Sequence, residues 1–174
     1  TDLNEALLES SCDAVVIATR HNSHAELVRL SIESGKHVFV EKPLCISKSE
    51  LDEIQSIYTG EKILMVGFNR RFAPLSIKLK AKLDNINTPK SFIYTCNADH
   101  LPKDHWIYDP DIGGGRIIGE ACHFVDYLRY LADSKITSLK INQSSYNSKD
   151  IFSIDISFED GSIGSVHYFA NGHH

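Results

Sequence analysis

The sequence predicts an α/β part over residues 1–68, followed by an α+β part over residues 69–174 with an open antiparallel sheet. Three observations carry this reading. Short apolar runs alternate with helix-period segments through the first part. The tail switches to strict alternation at Phe152, Ile154, Ile156 and Phe158, then Asp160-Gly161. The change of character falls just after Phe68, where the third apolar run ends.

Asp13-Ala14-Val15-Val16-Ile17-Ala18-Thr19 is a near-continuous apolar run, the pattern of a strand buried on both faces of a parallel sheet. Ser23 and Glu26 give a capping-box spacing before a helix carrying Ala25, Val28 and Ile32, and Gly35 is placed to stop it. A strand follows over His37–Glu41. Ser47 and Glu50 repeat the capping-box spacing ahead of Leu51, Ile54, Ile57 and Tyr58 on one helix face, with Gly60 as the stop. The third strand is Ile63–Phe68. Such a βαβαβ order implies parallel strands and right-handed crossovers. Beyond it, Pro74 starts a helix with Leu75, Leu79 and Leu83, Ser91–Cys96 reads as a strand, and a His-, Asp- and Pro-rich loop runs from about residue 97 to 115. A helix spans about Arg116–Ala132, and the alternating tail forms a hairpin ending near Phe169. Thr1 opens on a short polar helix-like segment rather than an initiator Met, and sequence upstream is expected.

Composition excludes several classes. A net charge of −5 offers no electrostatic case for nucleic acid or an anionic membrane. No apolar stretch approaches the roughly 20 residues that span a bilayer. Cys12, Cys45, Cys96 and Cys122 form no CxxC pair, which points to reduced thiols and a cytoplasmic setting. A zinc hydrolase is disfavoured because no HExxH is present, and the closing Gly172-His173-His174 is given no metal-binding weight.

Polar residues gather where open α/β sheets bind ligands, after the carboxyl ends of the strands. Thr19-Arg20-His21-Asn22-Ser23-His24 follows the first strand, Glu41-Lys42-Pro43 the second and Asn69-Arg70-Arg71 the third. A lysine at the end of a buried strand needs a partner, because an unpaired buried charge is costly. On the long helix, at about 100° per residue, Ile118, Ala121, Cys122, Val125 and Ala132 share one side. Arg116, Glu120, His123 and Tyr127 share the other, and Glu120 lies within reach of His123. A His beside a carboxylate suits a general base near neutral pH. Gly113-Gly114-Gly115, ahead of this helix, reads as a flexible turn that lets the backbone approach a ligand or another chain.

Taken together, these motifs resemble the glucose–fructose oxidoreductase and myo-inositol dehydrogenase family (Gfo/Idh/MocA). The resemblance runs through Asp13–Thr19, His24, Gly35–Pro43, Val66–Phe72 with Pro74, Gly113-Gly114-Gly115 and His123-Phe124-Val125-Asp126. It implies the C-terminal part of a Rossmann parallel sheet, then an α+β domain that binds substrate and often forms the oligomer interface. It implies NAD or NADP as cofactor, a sugar-type small molecule as substrate, and a homo-oligomer formed through the antiparallel sheet. Carried over by position, Thr19, Asn22 and His24 lie along the cofactor, and Glu41 and Lys42 lie by the nicotinamide and its ribose. Lys42 also bonds the substrate oxygen, His123 is the base, and Arg70 and Trp106 wall the substrate pocket.

The chain departs from the family pattern at three places. Arg20 stands where the family usually has Pro. Gly119 stands where it often has Asp, four residues before the catalytic His, and Glu120 is the expected substitute. No GxGxxG precedes the first strand, so the family's first βαβ unit is expected to be missing, and further strands are expected after His174. The whole protein is therefore expected to be an NAD(P)-dependent oxidoreductase of secondary alcohols, with this segment alone inactive. The alternative is a non-catalytic binding or dimerisation module that keeps the fold.

Overall fold

The structure is a computed structural model that describes residues 5, 7, 11–145 and 150–171. The opening helix-like segment and the closing Gly172-His173-His174 fall largely or wholly outside the described residues. The chain forms two compact units. The first holds Thr1–Gly67 and Asp104–Gly119, and the second holds Phe68–Lys103 and Glu120–His174. The break after Gly67 lies where the sequence pattern changes, but residues 104–119 return to the first unit and bring Trp106 with them.

In the first unit, β1 (Ala14–Ile17), β2 (His37–Val40) and β3 (Leu64–Val66) form a parallel sheet in sequential order. Helices α1 (His24–Glu33) and α2 (Lys48–Ile57) make the crossovers. Ile17, Val38 and Val40 pack with Ala25, Val28 and Ile54, and Val15, Leu64 and Val66 extend the same sheet face. Two successive right-handed crossovers put both helices on that one face. The apolar run of β1 predicts burial on both faces, but Val16 is 72% exposed and Met65 39% exposed on the opposite face. A run of hydrophobic residues shows that a strand is apolar on both sides; it does not supply the layer that covers the second side.

Helix ends follow local chemistry. At α2 the capping box forms as expected: Ser47 Oγ accepts from Glu50 N at 3.2 Å, and Glu50 Oε2 accepts from Ser47 N at 2.9 Å. At α1 it does not form. His21–Ser23 is a 3₁₀ turn, Ser23 is itself helical, and its hydroxyl turns back to Arg20 O (2.9 Å) and Thr19 Oγ1 (2.6 Å). Gly35, at φ +69°, supplies the left-handed residue after α1. On α2 only Ile54 of the expected apolar set is buried; Leu51 and Tyr58 are exposed.

The second unit carries α3 (Pro74–Leu83), α4 (Cys122–Ala132) and a four-stranded sheet of order β4-β7-β6-β5. Its strands are β4 (Ser91–Asn97), β5 (Ile136–Gln143), β6 (Ile151–Phe158) and β7 (Ile163–Phe169). The hairpin β6–β7 is antiparallel as expected, and β5 pairs antiparallel with β6, but β4 joins β7 in parallel, so the sheet is mixed. Strand β5 has too few buried apolar positions to stand out in the sequence. Phe152, Ile154, Ile156, Phe158, Val166 and Tyr168 face Phe124 and Leu128 of α4 in the core. Gly164 leaves room for Leu128 Cδ1, which lies 3.0 Å from where a Cβ would sit. Asp155 stands on the other face and accepts from Ser165 Oγ at 3.0 Å and Asn142 Nδ2 at 3.2 Å. Helix α3 begins at Pro74, yet its buried residue is Ser76, bonded to Tyr127 Oη at 3.1 Å, while Leu75 and Leu79 are exposed. The hydroxyl pair and the Lys80 stem fix that face, so Leu spacing misreads it. No helix among the described residues is long and apolar enough to cross a membrane.

The β6–β7 turn is locked by Asp160, whose carboxylate accepts from Ser162 N (3.0 Å) and Ser162 Oγ (2.8 Å). These bonds hold the Asp160 carboxyl below its ordinary value. The depressed value means that its contribution is complete above the ordinary carboxylate range and fades as pH falls through the folded value. Solvent screens this exposed group, so the contribution is well under about 1 kcal/mol. In urea denaturation across pH, Asp160→Asn should be less stable near neutrality, and the gap should close on acidification.

Candidate functional site

In the first unit, the loops after β1 and β2 are tied together by His24. The ring is fully buried, with Nδ1 2.7 Å from Pro43 O and Nε2 3.1 Å from Thr19 O. A carbonyl only accepts, so whichever nitrogen carries hydrogen donates to it. His24 thus holds the turns that present Thr19 and Lys42. Thr19 and Asn22 are exposed, and Glu41 and Lys42 are half-buried. The Glu41 carboxylate lies over Gly67, where a Cβ would meet Oε2 at 3.1 Å.

Lys42 Nζ donates to the Gly119 carbonyl at 2.7 Å. Gly119 lies in a π-helical turn, Ile117–Ala121, that leads into α4. This turn corrects the angular reading of a uniform helix over 116–132. Arg116 is buried and Ile118 is 37% exposed, because a π-turn adds one residue and so rotates the residues before it relative to those after it. After residue 121, Ala121 and Ala132 are buried as expected, but Cys122 and Val125 are only half-buried, and Phe124, Leu128 and Leu131 supply the core side of α4 instead.

His21, which the sequence did not single out, is central to this unit. Its ring is buried, Nδ1 lies 2.9 Å from Gly113 O, and Trp106 meets it edge-on at 4.8 Å. The Arg20 guanidinium lies 5.8 Å from the Trp106 ring. Asn22 N donates to Ile112 O at 3.1 Å, so residues 112–113 brace the loop after β1. The glycine run serves this packing within the chain. A Cβ on Gly113 would fall 2.3 Å from Ile107 Cα, and Gly114 and Gly115 have φ of +70° and +80°.

In the second unit, His123 is half-buried and its ring meets Phe68 edge-on at 6.1 Å. The Glu120 carboxylate accepts a short hydrogen bond from the Tyr168 hydroxyl. Arg70 donates to Tyr94 Oη at 3.2 Å and lies 4.9 Å from the Phe124 ring. Arg71 forms a two-pronged pair with the buried Asp126, with Nε 2.7 Å from Oδ2. That pair raises the Arg71 guanidinium above its ordinary value, against the opposing effect of burial. Among the described residues, no group of three or more His, Cys, Asp or Glu side chains is placed to hold a metal ion.

Comparison with known proteins decides the lineage. Residues 1–68 match the oxidoreductase family with an NAD-binding Rossmann fold, and residues 84–174 match the GFO/IDH/MocA C-terminal domain. The chain belongs to the GFO/IDH/MocA family. It is 31% identical over 138 residues to the myo-inositol 2-dehydrogenase of Thermotoga maritima, covering 78% of this chain and 40% of that protein. It is 30% identical over 176 residues to the scyllo-inositol 2-dehydrogenase (NAD(+)) of Bacillus subtilis, covering 95% of this chain and 51% of that protein. A levoglucosan dehydrogenase solved with NADH and levoglucosan superposes with a TM-score of 0.86 at 26% identity, covering 99% of this chain and 51% of that one. The chain spans about half the length of the curated relatives it matches. A nicotinamide dinucleotide is the cofactor class of this fold. The exposed Thr19 and Asn22 and the half-buried Glu41 and Lys42 offer polar groups of the kind such a cofactor takes at the carboxyl edge of the sheet.

His24 holds two turns through its ring and fills a buried site. In urea denaturation, His24→Ala should cost about 2–4 kcal/mol through the lost hydrogen bond to a carbonyl and the cavity left behind.

Proposed function

We propose that this chain is the catalytic segment of an NAD(P)-dependent oxidoreductase that converts a secondary alcohol of a sugar, polyol or sugar derivative into a ketone. The observation that carries this reading is the Lys42 ammonium, fixed at the carboxyl edge of the parallel sheet by the Gly119 carbonyl at 2.7 Å. Cofactor-binding folds of this kind place their reactive end at that edge. Inositol dehydrogenases among the relatives support the substrate class.

The bound dinucleotide supplies the hydride acceptor. Lys42 places positive charge where the substrate oxygen gains negative charge. His123 takes the hydroxyl proton as the carbon loses hydride. Thr19, Asn22 and Glu41 orient the cofactor's ribose and nicotinamide, and His24 acts by holding their turns. Arg70 and Trp106 contact the substrate. Glu120, bonded to Tyr168, sets the start of α4 and thereby the His123 backbone. We assign the protein to the cytoplasm, in keeping with its scattered cysteines.

The intact gene product, assayed on inositols and sugars with NAD and NADP, should turn over at least one of them. Lys42→Ala should lower kcat/KM by about 10²–10³-fold, and His123→Ala by about 10²–10⁴-fold. Turnover that survives either change would remove that residue from the mechanism; no turnover with any such substrate would favour a non-catalytic module.

Self-association through the outer face of the mixed sheet completes the proposal. That face carries Ile93 at 78% and Ile163 at 56% exposure beside Ser91, Thr95, Ser165, His167 and Asp155. Ile93→Glu should shift the protein towards monomer in sedimentation velocity, and an unchanged sedimentation coefficient would rule this face out.

A further inference from the structure

Lys42 is held by main chain, not by an anion. Its ammonium donates to the carbonyl of Gly119, 2.7 Å away, in the π-turn Ile117–Ala121. A main-chain carbonyl can be aimed only by the backbone that carries it. Here the backbone is aimed by packing. A Cβ at position 119 would meet His21 Cε1 at 2.9 Å, Ile107 Cδ1 at 3.2 Å and His21 Nδ1 at 3.4 Å.

The His21 ring has little freedom to yield. Its Nδ1 is committed to Gly113 O at 2.9 Å, and Trp106 closes on its edge at 4.8 Å. Gly113 cannot retreat, because its Cα already lies against the Ile107 main chain. The space that a side chain at 119 would need is therefore filled by a ring that is pinned on two sides.

We propose that Gly119 is a positioning residue for Lys42. The π-turn presents its carbonyl to the ammonium, and the His21 ring, pressed against the bare Cα, sets the depth at which that carbonyl sits. The inference rests on the catalytic role given to Lys42 above and adds the device that aims it. Because a carbonyl is a neutral acceptor, the ammonium keeps its full charge for a substrate oxygen, where a carboxylate partner would neutralise part of it.

The test needs neither cofactor nor substrate. The chain is labelled with acetic anhydride at trace levels, and lysine acetylation rates are read by mass spectrometry. Lys42 should react about tenfold more slowly than the exposed Lys78, as expected for an amine held by a charge-assisted bond. Gly119→Ala should remove most of that protection, and His21→Ala alone should also reduce it by freeing the carbonyl to move. Lys42 rates equal to wild type in either Gly119→Ala or His21→Ala would overturn the proposal. If Gly119→Ala does not fold, the wild-type chain still decides. A scalar coupling across the hydrogen bond from Lys42 ¹⁵Nζ to the Gly119 ¹³C carbonyl supports the assignment, and its absence refutes it.

In the intact gene product, Gly119→Ala should lower kcat by about tenfold or more, with the dinucleotide KM within about twofold, since a misplacement near 1 Å is enough for that. Loss of turnover on every substrate would refute the function while leaving the acetylation result standing. Wild-type kcat in Gly119→Ala, with the function intact, would refute the positioning role alone.

Discussion

A half-buried ammonium at the end of a parallel strand has to be given an acceptor, and much of the first unit is arranged around that need. Lys42 emerges from β2, whose Val38 and Val40 are in the core, so its stem starts from a fixed point. The acceptor comes from residue 119, far along the chain, and reaches Lys42 only because residues 104–119 fold back into the first unit. His24 locks the turn that carries Lys42, and His21 sets the backbone that receives it. A buried polar group without a partner is costly, so these contacts depend on one another.

Both histidines act through their shape and their bonds to carbonyls. His24 spans two turns of the sheet edge, and His21 spans the glycine run and the π-turn. The glycines make the complementary contribution. Gly113 and Gly119 are bare because main chain and a ring press against them, and Gly114 and Gly115 turn the chain at positive φ. Small residues and rigid rings together give the loops a precision that polar loop composition alone does not supply.

The fold was largely legible from residue pattern. Three apolar runs separated by helix-period segments gave β1, α1, β2, α2 and β3 in order, and the alternation of β6 and β7 gave their hairpin. The misreadings share a cause: periodicity reports apolar spacing and says nothing about which neighbours are present. Val16 is apolar but uncovered, Leu75 faces out while Ser76 faces in, and β4 pairs in parallel with β7 across a long stretch of sequence. Of the candidate site, Lys42, His24 and His123 could be proposed from their residue types and places after strands or on a helix. His21 and Gly119 were not, because their roles lie in backbone geometry and contact. The sole hint was a glycine at the position where related chains often place an acid.

Lineage, the order of the elements and the polar residues after each strand are all written in the linear chain, because they are properties of local pattern and of motifs in series. What those residues touch is settled by tertiary packing. Packing brought Trp106 and Gly119 back to the first unit, inserted the π-turn that upsets the angular order before Ala121, and handed Lys42 a carbonyl as its partner. A hydrogen bond to main chain leaves no mark in the identity of the residue that accepts it, so no reading of side chains could have supplied that contact.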